Sequence, residues 1–118
     1  MALAVFDNGV TVQCEVARTP AELSRGLMCR AKLAPNAGML FVYPADGYWR
    51  AWMRNTYIPL DMIFINQNMQ VVDVIANAQP LSEDLIESTA PARYMLEVNG
   101  GAARRWGVGP WTRVRLIG

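Results

Sequence analysis

Val10, Val12, Cys14 and Val16 alternate with Thr11, Gln13 and Glu15, the period-two pattern of a strand with one buried face. The alternation turns Cys14 into the core. Thr19-Pro20-Ala21-Glu22 then reads as a capping box with proline at the first helical position, and Leu23 and Leu27 lie on one face. A short helix over residues 20–27 is predicted. Gly26 weakens that helix by about 1 kcal/mol relative to alanine; it either ends the helix or, the favoured reading, admits another backbone at close range. Pro35-Asn36-Ala37-Gly38 reads as a turn, and Met39 to Tyr43 as a buried strand stopped by Pro44-Ala45-Asp46-Gly47.

Residues 49–54 are strand-like, and Pro59 interrupts before the run Met62 to Asn66. Asn66-Gln67-Asn68 predicts a hairpin turn into Val71 to Ile75. Residues 77–91 carry two prolines and the acids Glu83, Asp84 and Glu87, a long connection expected to cover a site as a lid. Tyr94, Leu96 and Val98 alternate with Arg93, Met95 and Glu97 in another strand. A short helix over Ala102 to Trp106 stops at Gly107, and a last strand sets Val114 and Leu116 opposite Arg113 and Arg115. Seven or so short strands and two brief helices predict a mainly β fold, a mostly antiparallel small sandwich or barrel.

The 118 residues match the size of one domain, taken as residues 1–118, with roughly two-thirds of the unfolded chain's surface buried. With 53% hydrophobic and 18% charged residues the chain is globular, and its apolar runs are too short to cross a bilayer, so a soluble protein without a transmembrane segment is expected. A net charge of +1 offers no strong field for a polyanion. Arg104, Arg105, Arg113 and Arg115 are the sole basic hint, and nucleic acid is disfavoured as a partner. Without histidine, catalytic triads and zinc sites lose their usual side chain. Four methionines, Met28, Met39, Met53 and Met62, read as core filling rather than as a copper site, so neither cofactor nor metal is expected. Cys14 and Cys29 allow one disulfide or two free thiols.

The run from Trp52 to Ile65 sets ionisable and amide groups within apolar sequence. A carboxylate carried into such a strand costs several kcal/mol unless a cation or several donors meet it, so Asp61 marks a structural pair or a site. In an extended strand Trp52 and Arg54 share a face, and the Pro59 turn is expected to bring Arg54, Asn55 and Asp61 to one rim. Arg25 and Arg30 flank Gly26-Leu27-Met28-Cys29, and either guanidinium suits a carboxylate, Asp61 or Glu97, in a two-pronged geometry. An exposed tryptophan beside amides and carboxylates suits stacking on a sugar ring.

Arg25-Gly26-Leu27-Met28-Cys29-Arg30, Gly38-Met39-Leu40-Phe41-Val42-Tyr43, Trp52-Met53-Arg54-Asn55-Thr56 and Ile58-Pro59-Leu60-Asp61-Met62-Ile63-Phe64-Ile65 closely resemble, in order and spacing, the bacterial and archaeal family called domain of unknown function 192. Pro91-Ala92-Arg93-Tyr94 and Leu96-Glu97 extend the resemblance over nearly the whole chain. It implies a compact, mainly β, jelly-roll-like domain, often made with an export leader or lipoprotein signal, and no settled activity. A periplasmic or exported location follows from the resemblance, with a cytoplasmic one as alternative. Met1 to Phe6 is too short for a secretory leader, so an exported precursor is expected to have lost its leader ahead of this numbering. The chain departs from the family's usual pattern at Cys29, Arg54 and Pro110-Trp111.

Three functional expectations follow. The first is a non-enzymatic envelope module binding a small polar ligand, carbohydrate included, through Arg25, Met28, Arg30, Trp52, Arg54, Asn55, Asp61 and Glu97. The second is a carboxylate-based hydrolase-like enzyme pairing Asp61 with Glu97 or Asp73, one acid protonated and the other charged. The third is a structural or assembly partner in which the Asp61 network only holds the fold.

Overall fold

A computed structural model describes residues 1–118. Nine strands and two helices follow in the order β1 (Ala2–Phe6), β2 (Thr11–Ala17), α1 (Pro20–Arg25), β3 (Ala37–Gly47), β4 (Arg50–Ala51), β5 (Leu60–Ile65), β6 (Val71–Ala78), β7 (Ile86–Glu87), β8 (Ala92–Asn99), α2 (Ala102–Trp106) and β9 (Val114–Ile117). Seven strands form one mainly antiparallel curled sheet in the order β6-β5-β8-β3-β2-β1-β9, and β4 and β7 form a second, two-stranded sheet. The jelly-roll-like character takes the form of a half-barrel.

One pair, β2 with β3, is parallel. Residues 18–36, with α1, form the crossover that parallel strands require. The two outer strands of the sheet meet at one end, where the Val71 N–H donates to the Thr112 carbonyl at 2.8 Å, Trp111 N–H to the Val71 carbonyl at 2.7 Å, and Val114 N–H to the Met69 carbonyl at 2.9 Å. Neither helix is long and apolar enough to cross a membrane.

Each face of the sheet carries its own core, and the odd-even alternation of each strand decides which residues join it. Leu40, Ile63, Ile65, Leu96 and Val98 pack with Phe6, Val12, Cys14 and Ala103 on one face. Met39, Phe41, Tyr43, Met62, Phe64 and Met95 pack with Leu27 and Met53 on the other. All six residues of β5 are buried, which explains the apolar run Met62 to Ile65 that follows Asp61. Burial pushes the Cys14 thiol up to about 11, and both cysteines are free.

The capping box forms as read: Thr19 Oγ1 accepts from Glu22 N–H at 3.2 Å, and Glu22 Oε1 accepts from Thr19 N–H at 3.0 Å. The helix ends two residues early because Gly26 adopts φ +49° and ψ −131°, which side-chain-bearing residues avoid. A Cβ there would meet Phe41 Cζ at 3.0 Å, so the close approach expected of Gly26 is to a side chain. Gly26→Ala is expected to cost about 1–3 kcal/mol through backbone strain and crowding, read by urea denaturation.

Three expectations change. The 49–54 segment is a strand only at Arg50–Ala51, because only there does it find a partner, Ile86–Glu87, although Trp49, Ala51 and Met53 all turn onto the core as an alternating strand would. The 77–91 connection is not structureless: its start completes β6, and it contains β7. It also fastens the 49–57 segment, with Met53 N–H donating to the Ser82 carbonyl at 2.9 Å and Leu81 N–H to the Thr56 carbonyl at 3.0 Å. The strand Ala2–Phe6, read only for a leader, pairs with both β2 and β9.

Candidate functional site

A cleft of about 370 Å³ opens on the sheet face that carries Met39, Phe41 and Tyr43. Its floor is β3 and β8, through Phe41, Tyr43, Met95 and Glu97; one wall is α1 and the turn Gly26-Leu27-Met28; the other is the strap from Trp49 to Trp52, with Thr56 behind. Tyr43 and Trp49 stack at 4.9 Å with planes 9° apart, and Trp49 Nε1–H donates to the Ala45 carbonyl at 2.9 Å. The stack fixes the strap on the floor. No residue of 77–91 lines the cleft, so that connection braces the strap from behind and is not its lid.

Glu97 is the unusual group of this recess. It lies in the middle of β8, directly opposite Met39 on β3 and Met62 on β5, and is 4% exposed. No protein donor hydrogen-bonds its carboxyl, and no cation pairs with it. Buried carboxyl groups are normally met by donors or a counter-charge. Burial among apolar neighbours pushes Glu97 up to about 8, so at neutral pH the site holds a protonated acid. Oε1 faces the glycine at the end of α1: a Cβ on Gly26 would lie 3.8 Å from it. Tyr43 is also raised, by burial and then by the Glu97 charge.

The expected rim of Arg54, Asn55 and Asp61 does not assemble. Asp61, 1% exposed, shares the parity of Ile63 and Ile65 and so lies on the face opposite the cleft. Its Oδ1 accepts from the N–H groups of Asn77 at 2.8 Å and Gly101 at 3.0 Å, and Oδ2 from Ala103 N–H at 3.0 Å. It caps α2 from a distant strand, satisfying backbone donors that Gly100-Gly101 cannot serve locally. Main-chain donors, not a guanidinium, meet this acid.

Four of the eight expected residues, Arg25, Met28, Trp52 and Glu97, line the cleft. Arg54 lies over the Trp52 ring at 5.3 Å, a cation–π contact that holds the outer strap. Asn55 turns with φ +51°, and its carbonyl accepts from Cys29 N–H at 2.9 Å, tying the strap to the turn after α1; its side chain is exposed. Arg30 grips Glu15 with both terminal nitrogens, Nη2 to Oε1 at 2.8 Å, and lowers Glu15 below the usual carboxylate range. Both partners are partly exposed, so Arg30→Ala is expected to cost less than about 1 kcal/mol by thermal denaturation. Arg25 is exposed and makes no ion pair.

The two-carboxylate arrangement is absent. Asp61 and Glu97 sit on opposite faces, and Asp73 accepts from Thr89 N–H at 2.9 Å and Thr89 Oγ1 at 3.2 Å. Phe41, Tyr43 and Trp49 were not among the expected site residues. Their signal was parity: β3 residues of odd number share a face with odd residues of β8 once Met39 pairs with Glu97.

A curled β sheet with an aromatic-walled recess over one buried acid defines a small mainly β domain organised about a cleft. The chain belongs to the family domain of unknown function 192, described as an uncharacterised ACR, whose model matches residues 3–116. Two similar crystal structures share the fold. A proposed transcription regulator from Sinorhizobium meliloti 1021 is 38% identical with a TM-score of 0.89, covering 97% of this chain and 90% of that one. A protein of unknown function from Novosphingobium aromaticivorans DSM 12444 is 37% identical with a TM-score of 0.90, covering 97% of this chain and 82% of that one. No curated protein matches the chain.

Proposed function

We propose that this protein is a binding module whose cleft takes a small ligand with an apolar body and one polar group directed at Glu97. The observation that carries the reading is a carboxyl at the cleft floor, almost fully buried and met by no protein donor. Such a group is costly unless something else satisfies it. The aromatic floor of Phe41 and Tyr43 and the wall of Trp49 and Trp52 supply apolar area with orientation, the usual make-up of a small-molecule recess. Sugars fall within this class, their ring on Trp52 and a hydroxyl at Glu97. A place in the cell envelope is proposed on the family resemblance alone.

Binding is read by tryptophan emission and by methionine methyl resonances of Met28 and Met95 while a panel of sugars, amines and aromatic alcohols is titrated. A saturable change confined to cleft residues is expected. Trp52→Ala is expected to weaken it at least about tenfold, in line with loss of an aromatic anchor. Binding unaltered by that substitution, or shifts only outside the cleft, would overturn the reading.

A further inference from the structure

Resting on the cleft reading above, we propose that the group seated against Glu97 is an organic cation, an ammonium held between the carboxylate and the aromatic walls. The recess contains the two elements that recognise such ions. Ring faces attract a cation that has shed its water, and Trp52 already holds the Arg54 guanidinium 5.3 Å from its centroid. A single carboxyl at the bottom supplies the counter-charge, and it has no competing donor.

A neutral ligand leaves Glu97 protonated, with one O–H to donate and a carbonyl oxygen to accept. A cation pays the group back in full by letting it ionise. That no internal cation takes this place is a matter of arrangement. From the strap, Arg50 is drawn off by Glu87, Nε to Oε2 at 3.3 Å. From the end of α1, Arg25 is exposed, where water and salt screen its charge. From β3 the one titratable neighbour is the Tyr43 phenol, which burial and the Glu97 charge keep neutral. From β5 and β3 the opposing side chains are Met62 and Met39, which bring no charge. The acid is therefore open to a charge from outside.

The test uses benzyltrimethylammonium, whose charge does not titrate, with benzyl alcohol and N-acetylglucosamine as neutral probes, on the full chain by calorimetry and tryptophan emission at pH 6, 7 and 8.5. The cation is expected to bind about tenfold more tightly at pH 7 than at pH 6, levelling above pH 8, because only ionised Glu97 receives it. At pH 7 each binding event is expected to release about one proton, seen as a heat that depends on the buffer's ionisation enthalpy. Glu97→Gln should abolish both the pH dependence and the proton release and weaken binding at pH 8.5 at least about tenfold. Trp52→Ala should weaken binding while keeping the pH dependence. Neutral probes binding in the cleft while the cation does not, or cation binding that is flat with pH or unchanged by Glu97→Gln, overturns the cation and leaves the cleft reading standing. Silence of the cleft toward all three probes overturns both.

Discussion

Asp61→Ala is expected to be the most damaging single substitution, lowering stability by about 3–5 kcal/mol through three backbone N–H groups left without an acceptor. Those donors belong to Asn77 on β6, to Gly101 at the start of α2 and to Ala103 in its first turn. One carboxylate thereby joins a strand end, a glycine turn and a helix, and none of them has a local substitute. Asp61→Asn keeps the shape but turns one acceptor into an NH₂ facing an N–H, so it should recover only part of the loss. Denaturant midpoints should fall in the order wild type, Asn, Ala. Because Asp61 lies behind the sheet, the folded fraction of Asp61→Asn should still bind at the cleft with unaltered affinity. A stable Ala variant, or an Asn variant that folds normally and has lost binding, would reassign Asp61 to the site.

The second large effect is a dependence of stability on pH that resides in Glu97. Its carboxyl moves from an ordinary 4.5 in the unfolded chain to about 8 in the folded protein. Between those values the folded protein holds a proton that the unfolded chain has lost, so the contribution of Glu97 is most favourable below pH 4.5 and fades as pH rises through 8. Across that window the loss is about 5 kcal/mol. Glu15 and Glu22, lowered by Arg30 and by the Thr19 and Arg18 amides respectively, act with the opposite sign and at lower pH, and they cancel when wild type is compared with Glu97→Gln. The difference between the two unfolding free energies, followed by urea titration from pH 5 to 8.5, should shift steadily in favour of Glu97→Gln. Parallel curves would show that Glu97 titrates normally.

The contrast between these two acids shows what was legible in the chain. Period-two runs disclosed β2, β8 and β9, while the apolar run after Pro59 and the Asn66-Gln67-Asn68 turn disclosed β5 and β6. The Thr19 capping box and the Gly107 stop disclosed both helices, since caps are local. Asp61 stood out as a carboxylate in apolar sequence, and that was sound; its partners were misplaced because main-chain N–H groups are invisible in composition, whereas arginines invite pairing. Glu97 was named as a candidate, but its isolation depends on Met39 and Met62 arriving from other strands, a matter of register between segments more than thirty residues apart. Phe41, Tyr43 and Trp49 escaped notice as cleft residues for the same reason, whereas Trp52 was named. The strap misled because its tryptophans and methionine resemble a strand while acting as a clamp.

The meeting of the two outer strands near Met69, Val71 and Thr112 has a bearing on self-association. Unpaired strand borders recruit other copies into fibres, and here part of each border is spent on the other within the same chain. Loosening the 109–112 turn should therefore reveal itself first in light scattering or dye binding by growing assemblies, before the melting curve moves.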